Sequence, residues 1–309
     1  MNLSTRPIGA TPLPFLGVLR VAGPDALAFL QGQLTNDVRL LADGRTQLAA
    51  VCSPQGRVIA LLRLRQDDDA VHALLPTDLV QHVSGLLRRY VLRSKVQIQV
   101  AAELQVGWID CSTSSESIDT AIGAARTAVA ESSAGATPVV RFDYAPGRRV
   151  VAASDAAWQS GTGLSLGPPQ PGVLHAWSAA DIEAGLPQVF AATSEAFVPQ
   201  MLNLDLLDAI SFSKGCYTGQ EIVARTQHLG RIKRRLCRYR LPPGPEPAPL
   251  AGLFLDATKT AEVVMSAIRD SGVDLLAVTI LEALGARLHT GDGREAVPLD
   301  LPYPVAERD

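Results

Sequence analysis

An excess of charge of one sign is missing from this chain. Its 28 Lys and Arg stand against 31 Asp and Glu, a formal net charge of −3. That excludes wholesale attraction to nucleic acid through net charge and leaves only local basic patches to consider. Paired cysteines are missing too. Cys52, Cys111, Cys216 and Cys237 are scattered, with no C-x-x-C, so a structural zinc site is not expected. No two of the five histidines lie three to five residues apart, so no histidine-based metal site is expected either; surface or helix-capping positions suit them better. No apolar run approaches the roughly 20 residues of a membrane span, and the polar start M-N-L-S-T-R-P does not resemble a secretion signal. Free thiols in a reducing cytoplasm, away from membranes, are the simplest reading.

What is present suits a folded protein of two or three domains: 309 residues, of which 47% are hydrophobic. Strands are expected over Phe15 to Val21, Leu48 to Cys52 and Val58 to Arg65, the last two joined by the turn S-P-Q-G, and again from Ala70 to Leu75. Pro24 opens a short helix that runs into the polar loop Q-G-Q-L-T-N-D-V, residues Gln31 to Val38. Leu79, Val83, Leu86, Leu87 and Tyr90 recur at helical spacing between Thr77 and Tyr90. More strands and an alanine-rich helix over Ser115 to Glu131 follow. This order points to antiparallel α+β modules rather than a doubly wound parallel sheet. The run G-T-G-L-S-L-G, Gly161 to Gly167, lacks nucleotide-loop spacing and reads as a flexible loop. Beyond about Arg231, short strand-like runs separated by Pro- and Gly-rich turns suit a small β-barrel. The expected division is therefore 1–230, antiparallel α+β, and 231–309, a barrel.

The chemistry concentrates in K-G-C-Y-T-G-Q-E, Lys214 to Glu221. Thr218 and Glu221 have capping-box spacing, so a helix is expected from Gly219 to about His228, with Gly230 as its stop and Glu221 and Arg225 paired at i and i+4. Cys216 would then precede a helix N-terminus, with Lys214 close in sequence. Both features favour thiolate. Gly215 and Gly219 allow tight turns or close approach to a ligand. The alternative is a buried, inert Cys216 in a merely capped helix. Cys52, Cys111 and Cys237 have no activating neighbour and read as packing residues.

These residues carry a resemblance. K-G-C-Y-T-G-Q-E is similar to the signature of the YgfZ family, relatives of the folate-dependent T-protein of the glycine cleavage system. F-V-P-Q-M-L-N-L (Phe197 to Leu204) and F-L-Q-G-Q-L-T-N-D-V (Phe29 to Val38) also resemble that family. The resemblance covers roughly the first 240 residues and fades in the barrel region. It implies a T-protein-like fold in which 1–230 forms two α+β lobes that, with the barrel, surround a tetrahydrofolate cavity. It also implies a role as accessory factor for iron–sulfur enzymes, including those that methylthiolate tRNA. It makes Cys216 the catalytic candidate. Gln33, Asn36, Asp37, Asn203, Lys214, Gly215, Tyr217, Gly219, Gln220, Glu221 and Arg225 become candidate folate contacts. D-I-E-A-G-L-P resembles the T-protein stretch R-x-E-A-G, which makes Glu183 the pterin carboxylate, with Asp181 in place of the arginine. A carboxylate can accept paired hydrogen bonds from a pterin's ring N–H and exocyclic amine.

Two departures bear on activity. Ile59 and Ala60 stand where T-proteins carry an Asp-Asp pair, and neither can move a proton or hold a cationic amine. A folate-dependent one-carbon transferase is therefore the second reading, and whether the chain is an enzyme stays open. The basic run R-I-K-R-R-L-C-R-Y-R, Arg231 to Arg240, suits the glutamate tail of folate, an RNA backbone such as tRNA, or a charge-protected edge strand.

Overall fold

The computed structural model describes residues 8–43, 45–67, 70–109, 115–132, 139–145, 148–160, 163–228 and 232–305. In chain order the elements are β1 (Ile8–Pro12), β2 (Leu16–Ala22), α1 (Ala26–Gln31), β3 (Thr46–Cys52), β4 (Val58–Asp67), β5 (Ala70–Pro76), α2 (Thr77–Arg88), β6 (Gln97–Val100) and β7 (Leu104–Ile109). There follow α3 (Ser115–Ser132), β8 (Val140–Ala145), β9 (Arg148–Ser154), α4 (Asp155–Gln159), β10 (Leu164–Leu166), α5 (Val173–Glu183) and α6 (Gln220–His228). The last are β11 (Arg234–Leu241), β12 (Gly252–Leu255), β13 (Thr258–Arg269), β14 (Gly272–Ile280), β15 (Leu288–Thr290) and β16 (Glu295–Leu299). The fold is mixed α+β with a closed barrel.

The chain divides into two compact units. The first is Met1–Phe29, Val38–Gln47 and Leu62–Val173; the second is Leu30–Asp37, Leu48–Leu61 and Leu174–Asp309. One sheet of the first unit runs β10-β1-β7-β9-β8. Its apolar face takes Ile118, Ala121, Ile122 and Ala125 of α3 into a shared core with Ile109, Val151 and Trp158. Another sheet runs β3-β4-β5-β2-β6. β5 lies between β4 and β2 and is buried along its whole length, so its A-V-H-A-L-L-P sequence shows no alternation. α2 packs Leu79, Val80, Val83 and Leu87 inward. Of the expected stripe, Leu86 is only half-buried, and Tyr90 lies past the end of the helix at Arg88 and is 40% exposed, because the apolar spacing outlasts the helix that it marks.

Two expectations need correction. Within the run read as a flexible loop, Leu164–Leu166 is a strand, paired in parallel with Ile8–Ala10; Gly161 and Thr162 lie outside the described residues. The apolar-polar-apolar triplet L-S-L carries the reason, because Leu164 is fully buried in the α3 core. His72 is neither a surface nor a capping residue: it sits mid-strand in β5 and is 1% exposed. Cys111 and Gly230 fall outside the described residues.

The second unit holds the barrel, in order β11-β14-β13-β12-β15-β16. It closes where β16 pairs with β11 (Arg238 opposite Leu299, Arg240 opposite Val297). Tyr239, Leu241, Leu253, Val263, Leu275 and Leu288 fill it. The strand period of two puts the intervening Arg238 and Arg240 on the other face of β11. There Asp274, opposite Arg240 in register, receives both guanidinium groups.

Candidate functional site: a cysteine loop pinned on both sides

All the candidate residues belong to the second unit. At its centre the chain goes in, comes out for two residues, and goes in again. Lys214 is 6% exposed, and its ammonium donates to the carbonyls of Leu34 and Asn36, each at 2.7 Å. Tyr217 is 7% exposed, with its ring centroid 5.2 Å from the same ammonium. Burial pushes its hydroxyl well above the usual tyrosine range, and the neighbouring Cys52 adds to this. Between these anchors Gly215 and Cys216 are exposed, and the Cys216 thiol is free. Lys214 is therefore a staple as well as a charge, with its hydrogen bonds going to the Q-L-T-N segment.

That segment is itself fixed. Thr35 Oγ1 donates to the carbonyl of Ala209 and accepts from the N–H of Ala50. The Asn36 amide donates to the carbonyls of Leu48 and Asp208, and its oxygen accepts from the N–H of Asp37. Asp37 accepts from the Gln31 amide at 3.1 Å. Gln33 is half-buried, with its N–H on the Leu30 carbonyl. Two charge-assisted bonds at about 1.5–3 kcal/mol each make the Lys214 staple one of the stronger local ties.

The other side of the loop is held by a backbone contact. Gly219 has φ +83°, and a Cβ there would lie 2.5 Å from the Ser53 carbonyl oxygen and 3.0 Å from Gly56 Cα. Gly56 has φ +69°, and its Cβ would lie 2.7 Å from Cβ of Ile222 on α6. The S-P-Q-G turn and the start of α6 thus meet glycine against glycine. This overturns the expected capping box. α6 begins at Gln220, and Gly219 is the residue whose carbonyl accepts the first helical bond, from Val223. Thr218 Oγ1 makes no bond to the Glu221 N–H, and Glu221 and Arg225, both exposed, form no ion pair. The close approach to Ser53 demands a left-handed residue at the helix entry, a conformation open to Gly219 and strained for a threonine. Gly215 differs: nothing lies within 4 Å of a Cβ there, so neither space nor a positive φ requires glycine.

Glu183, at the end of α5, makes its hydrogen bond and ion pair with the barrel strand β13 and, among the described residues, none with this loop. It is exposed, its Oε2 2.8 Å from Arg269 of β13, while Arg269 also donates to the Ala179 carbonyl. Its Oε1 has no hydrogen-bond partner among the described residues. Beside it Asp274 is fully buried, with Arg238, Arg240 and Arg269 within 3.4 Å. Burial raises the Asp274 carboxyl, but hydrogen bonds from Arg240 and Arg238 outweigh it and hold the group below the usual carboxylate range. Asn203 is fully buried with φ +57°. Both ends of its amide bind Leu236 of β11, donating to the carbonyl and accepting from the N–H.

Sequence reasoning missed three partners. Tyr303 donates to the Gly185 carbonyl at 2.6 Å and lies 3.4 Å from the Asn203 amide, so it ties E-A-G-L-P to the Asn203 turn. Asp205 receives Arg235 through both guanidinium nitrogens, at 2.6 and 3.0 Å. Thr35, inside a segment singled out for Asn36 and Asp37, does as much as either. All three are contacts distant in sequence, for which local pattern carries no signal. The basic run Arg231–Arg240 is correspondingly less free than it reads: Arg235, Arg238 and Arg240 are all paired with carboxylates. Among the described residues no group of three or more His, Cys, Asp or Glu could hold a metal ion. No described helix is long and apolar enough to cross a membrane.

No protein-family model matches the chain. Curated relatives do. A tRNA-modifying protein YgfZ of Shigella sonnei is 33% identical over 219 residues, covering 70% of this chain and 67% of the relative. That of Klebsiella pneumoniae is 36% identical over 220 residues, covering 70% and 66%. Among solved structures, the glycine cleavage system aminomethyltransferase T of Bartonella henselae superposes with a TM-score of 0.69 over 99% of this chain and 88% of that one, at 14% identity. That likeness establishes the fold.

Proposed function

Because this chain belongs to the YgfZ family, we propose that it binds a reduced folate and acts as an accessory factor to iron–sulfur enzymes that modify tRNA, with Cys216 as its reactive group. The observation that carries this reading is the presentation of Cys216: an exposed thiol on a two-residue crest between the buried anchors Lys214 and Tyr217. A sulfur with a merely packing role has no need of such mounting, and Cys52 and Cys237 lack it. The names of the relatives support the connection to tRNA modification, and a cytoplasmic setting with free thiols fits the same reading.

Tetrahydrofolate, when bound, supplies the pterin and its one-carbon-bearing nitrogens. Of the residues present, Glu183 fits a pterin best. Arg269 fixes one carboxylate oxygen and leaves the other open to a donor such as a pterin N–H. Cys216, Gly215, Gln220, Glu221 and Arg225 offer exposed or half-exposed groups near the α6 N-terminus. Lys214, Asn36 and Asn203 act through position, since each is bound to main-chain atoms. Aminomethyl transfer is the weaker reading. Ile59 and Ala60 are 3% and 0% exposed, so that position presents no carboxylate to a cationic amine.

Titration calorimetry with tetrahydrofolate tests the ligand: measurable binding in the wild type and its loss in Glu183→Ala are expected, and no heat in either ends the folate reading. For the thiol, Cys216→Ser is expected to abolish rescue of a methylthiolated-tRNA defect in cells while leaving thermal unfolding unchanged. Full rescue would show that the sulfur is dispensable.

A further inference from the structure

If a chain of net charge −3 meets RNA, it must do so through a local surface, and the basic run of β11 is largely neutralised from within. The first unit carries a better candidate. R-R-Y-V-L-R-S-K, Arg88 to Lys95, links α2 to β6 and has four cations in eight residues with no carboxylate. Arg88 is spent: its guanidinium donates twice to the Ile98 carbonyl. Arg89, Arg93 and Lys95 are exposed, and their side chains have no partner among the described residues. Between them Tyr90 is 40% exposed and Leu92 is 86% exposed.

This surface is built. The N–H groups of Arg89, Tyr90 and Val91 each bond three residues back, and that of Leu92 bonds the Tyr90 carbonyl at 2.9 Å. The Lys95 N–H donates to Asp25 at 2.7 Å, and Gly23 admits the Lys95 carbonyl where a Cβ would stand 2.3 Å away. The backbone therefore fixes an aromatic ring and a leucine outward among three unpaired cations. One exposed leucine means little. An exposed ring flanked by free cations on a fixed turn is the combination that stacks an unpaired base while neutralising the phosphates beside it.

We propose that the Arg88–Lys95 turn is an RNA-binding surface, with Arg89, Arg93 and Lys95 on phosphates and Tyr90 against a base in a single-stranded loop. The proposal rests on the connection to tRNA made above, but not on folate or on Cys216. An anionic membrane is the competing partner. It would ask for a broader apolar face than Tyr90 and Leu92 supply.

The test uses the full chain and a fluorescein-labelled, unmodified tRNA transcript, with anisotropy followed across a salt series. Replacing Arg89, Arg93 and Lys95 together by Ala should weaken binding at low salt by about tenfold or more. It should also flatten the slope of log K against log salt by about 2, at roughly 0.7 per lost single-strand contact. Tyr90→Ala should weaken binding several-fold with the slope unchanged, and Tyr90→Phe should restore it. If the triple variant keeps wild-type affinity and slope, the proposal is wrong. It is equally wrong if the wild type ignores tRNA but pellets with phosphatidylglycerol vesicles in a Leu92-dependent way. The Tyr90→Ala and Tyr90→Phe pair decides the matter should the triple variant unfold. Failure of tetrahydrofolate to bind, with these RNA results intact, would remove the folate reading alone.

Discussion

The ammonium of Lys214 lies 2.7 Å from the main-chain oxygen of Asn36, 178 residues earlier in the chain, and it makes a second bond of the same length to Leu34. One side chain thereby binds the two most recognisable segments of the sequence to each other. Lys214→Ala is expected to cost about 3 kcal/mol, since two buried carbonyls lose charged donors. Lys214→Met should do no better, because its apolar stem restores no bond. Urea unfolding monitored by circular dichroism gives the figure; a loss under about 1 kcal/mol would mean that water replaces the ammonium.

The two glycines of K-G-C-Y-T-G should behave differently. Gly219→Ala forces a left-handed alanine and a Cβ 2.5 Å from the Ser53 oxygen, so a loss of about 2 kcal/mol or more is expected. At Gly215 nothing lies within 4 Å, and alanine should change stability by less than about 0.5 kcal/mol. Equal melting temperatures for the two variants would contradict the described turn.

Thiol reactivity should separate the cysteines. Brief iodoacetamide treatment of the native protein, followed by peptide mass spectrometry, should label Cys216. Cys52 is 2% exposed and its thiol is pushed up to about 12 by burial, so it should react only after denaturation. Cys237, raised to about 11, should also lag. Labelling of Cys52 at the rate of Cys216 would count against the burial described.

Asp274 sets an acid limit. Its folded-state value lies below the ordinary one, so its contribution to stability is complete above the unfolded value of about 3.9 and is lost as pH falls through the folded value. Asp274→Asn should destabilise the protein by about 2–4 kcal/mol at neutral pH, by leaving three arginines short of a charge, and should flatten the loss of stability below pH ~4. Chemical denaturation at several pH values checks both; parallel pH profiles for the two proteins would rule out this role.

Much of this was legible in the sequence wherever periodicity or turn chemistry is local. The S-P-Q-G hairpin, α2 with its stripe from Leu79 to Leu87, and the β-rich C-terminal region all emerged from pattern. The failures share a cause. The capping box of Thr218 and Glu221 is a sound local rule, but it gives way to a backbone contact with Ser53, 166 residues away. β10 is too short for periodicity to register. Lys214 read as a charge beside a thiol because its two carbonyl partners cannot be seen from its neighbours. The division of roles among the candidates, between side chains that bind main chain and side chains that remain available, is a tertiary property that composition and spacing do not encode.

The chain passes between its two compact units at 29/30, 37/38, 47/48, 61/62 and 173/174. No single scission yields either unit whole, and a fragment beginning at Leu174 would lack the strips that carry Asn36 and Gly56. Dissection by truncation is therefore a poor tool for this molecule. Functions must be pulled apart by point substitution, because neither unit is one continuous stretch of chain.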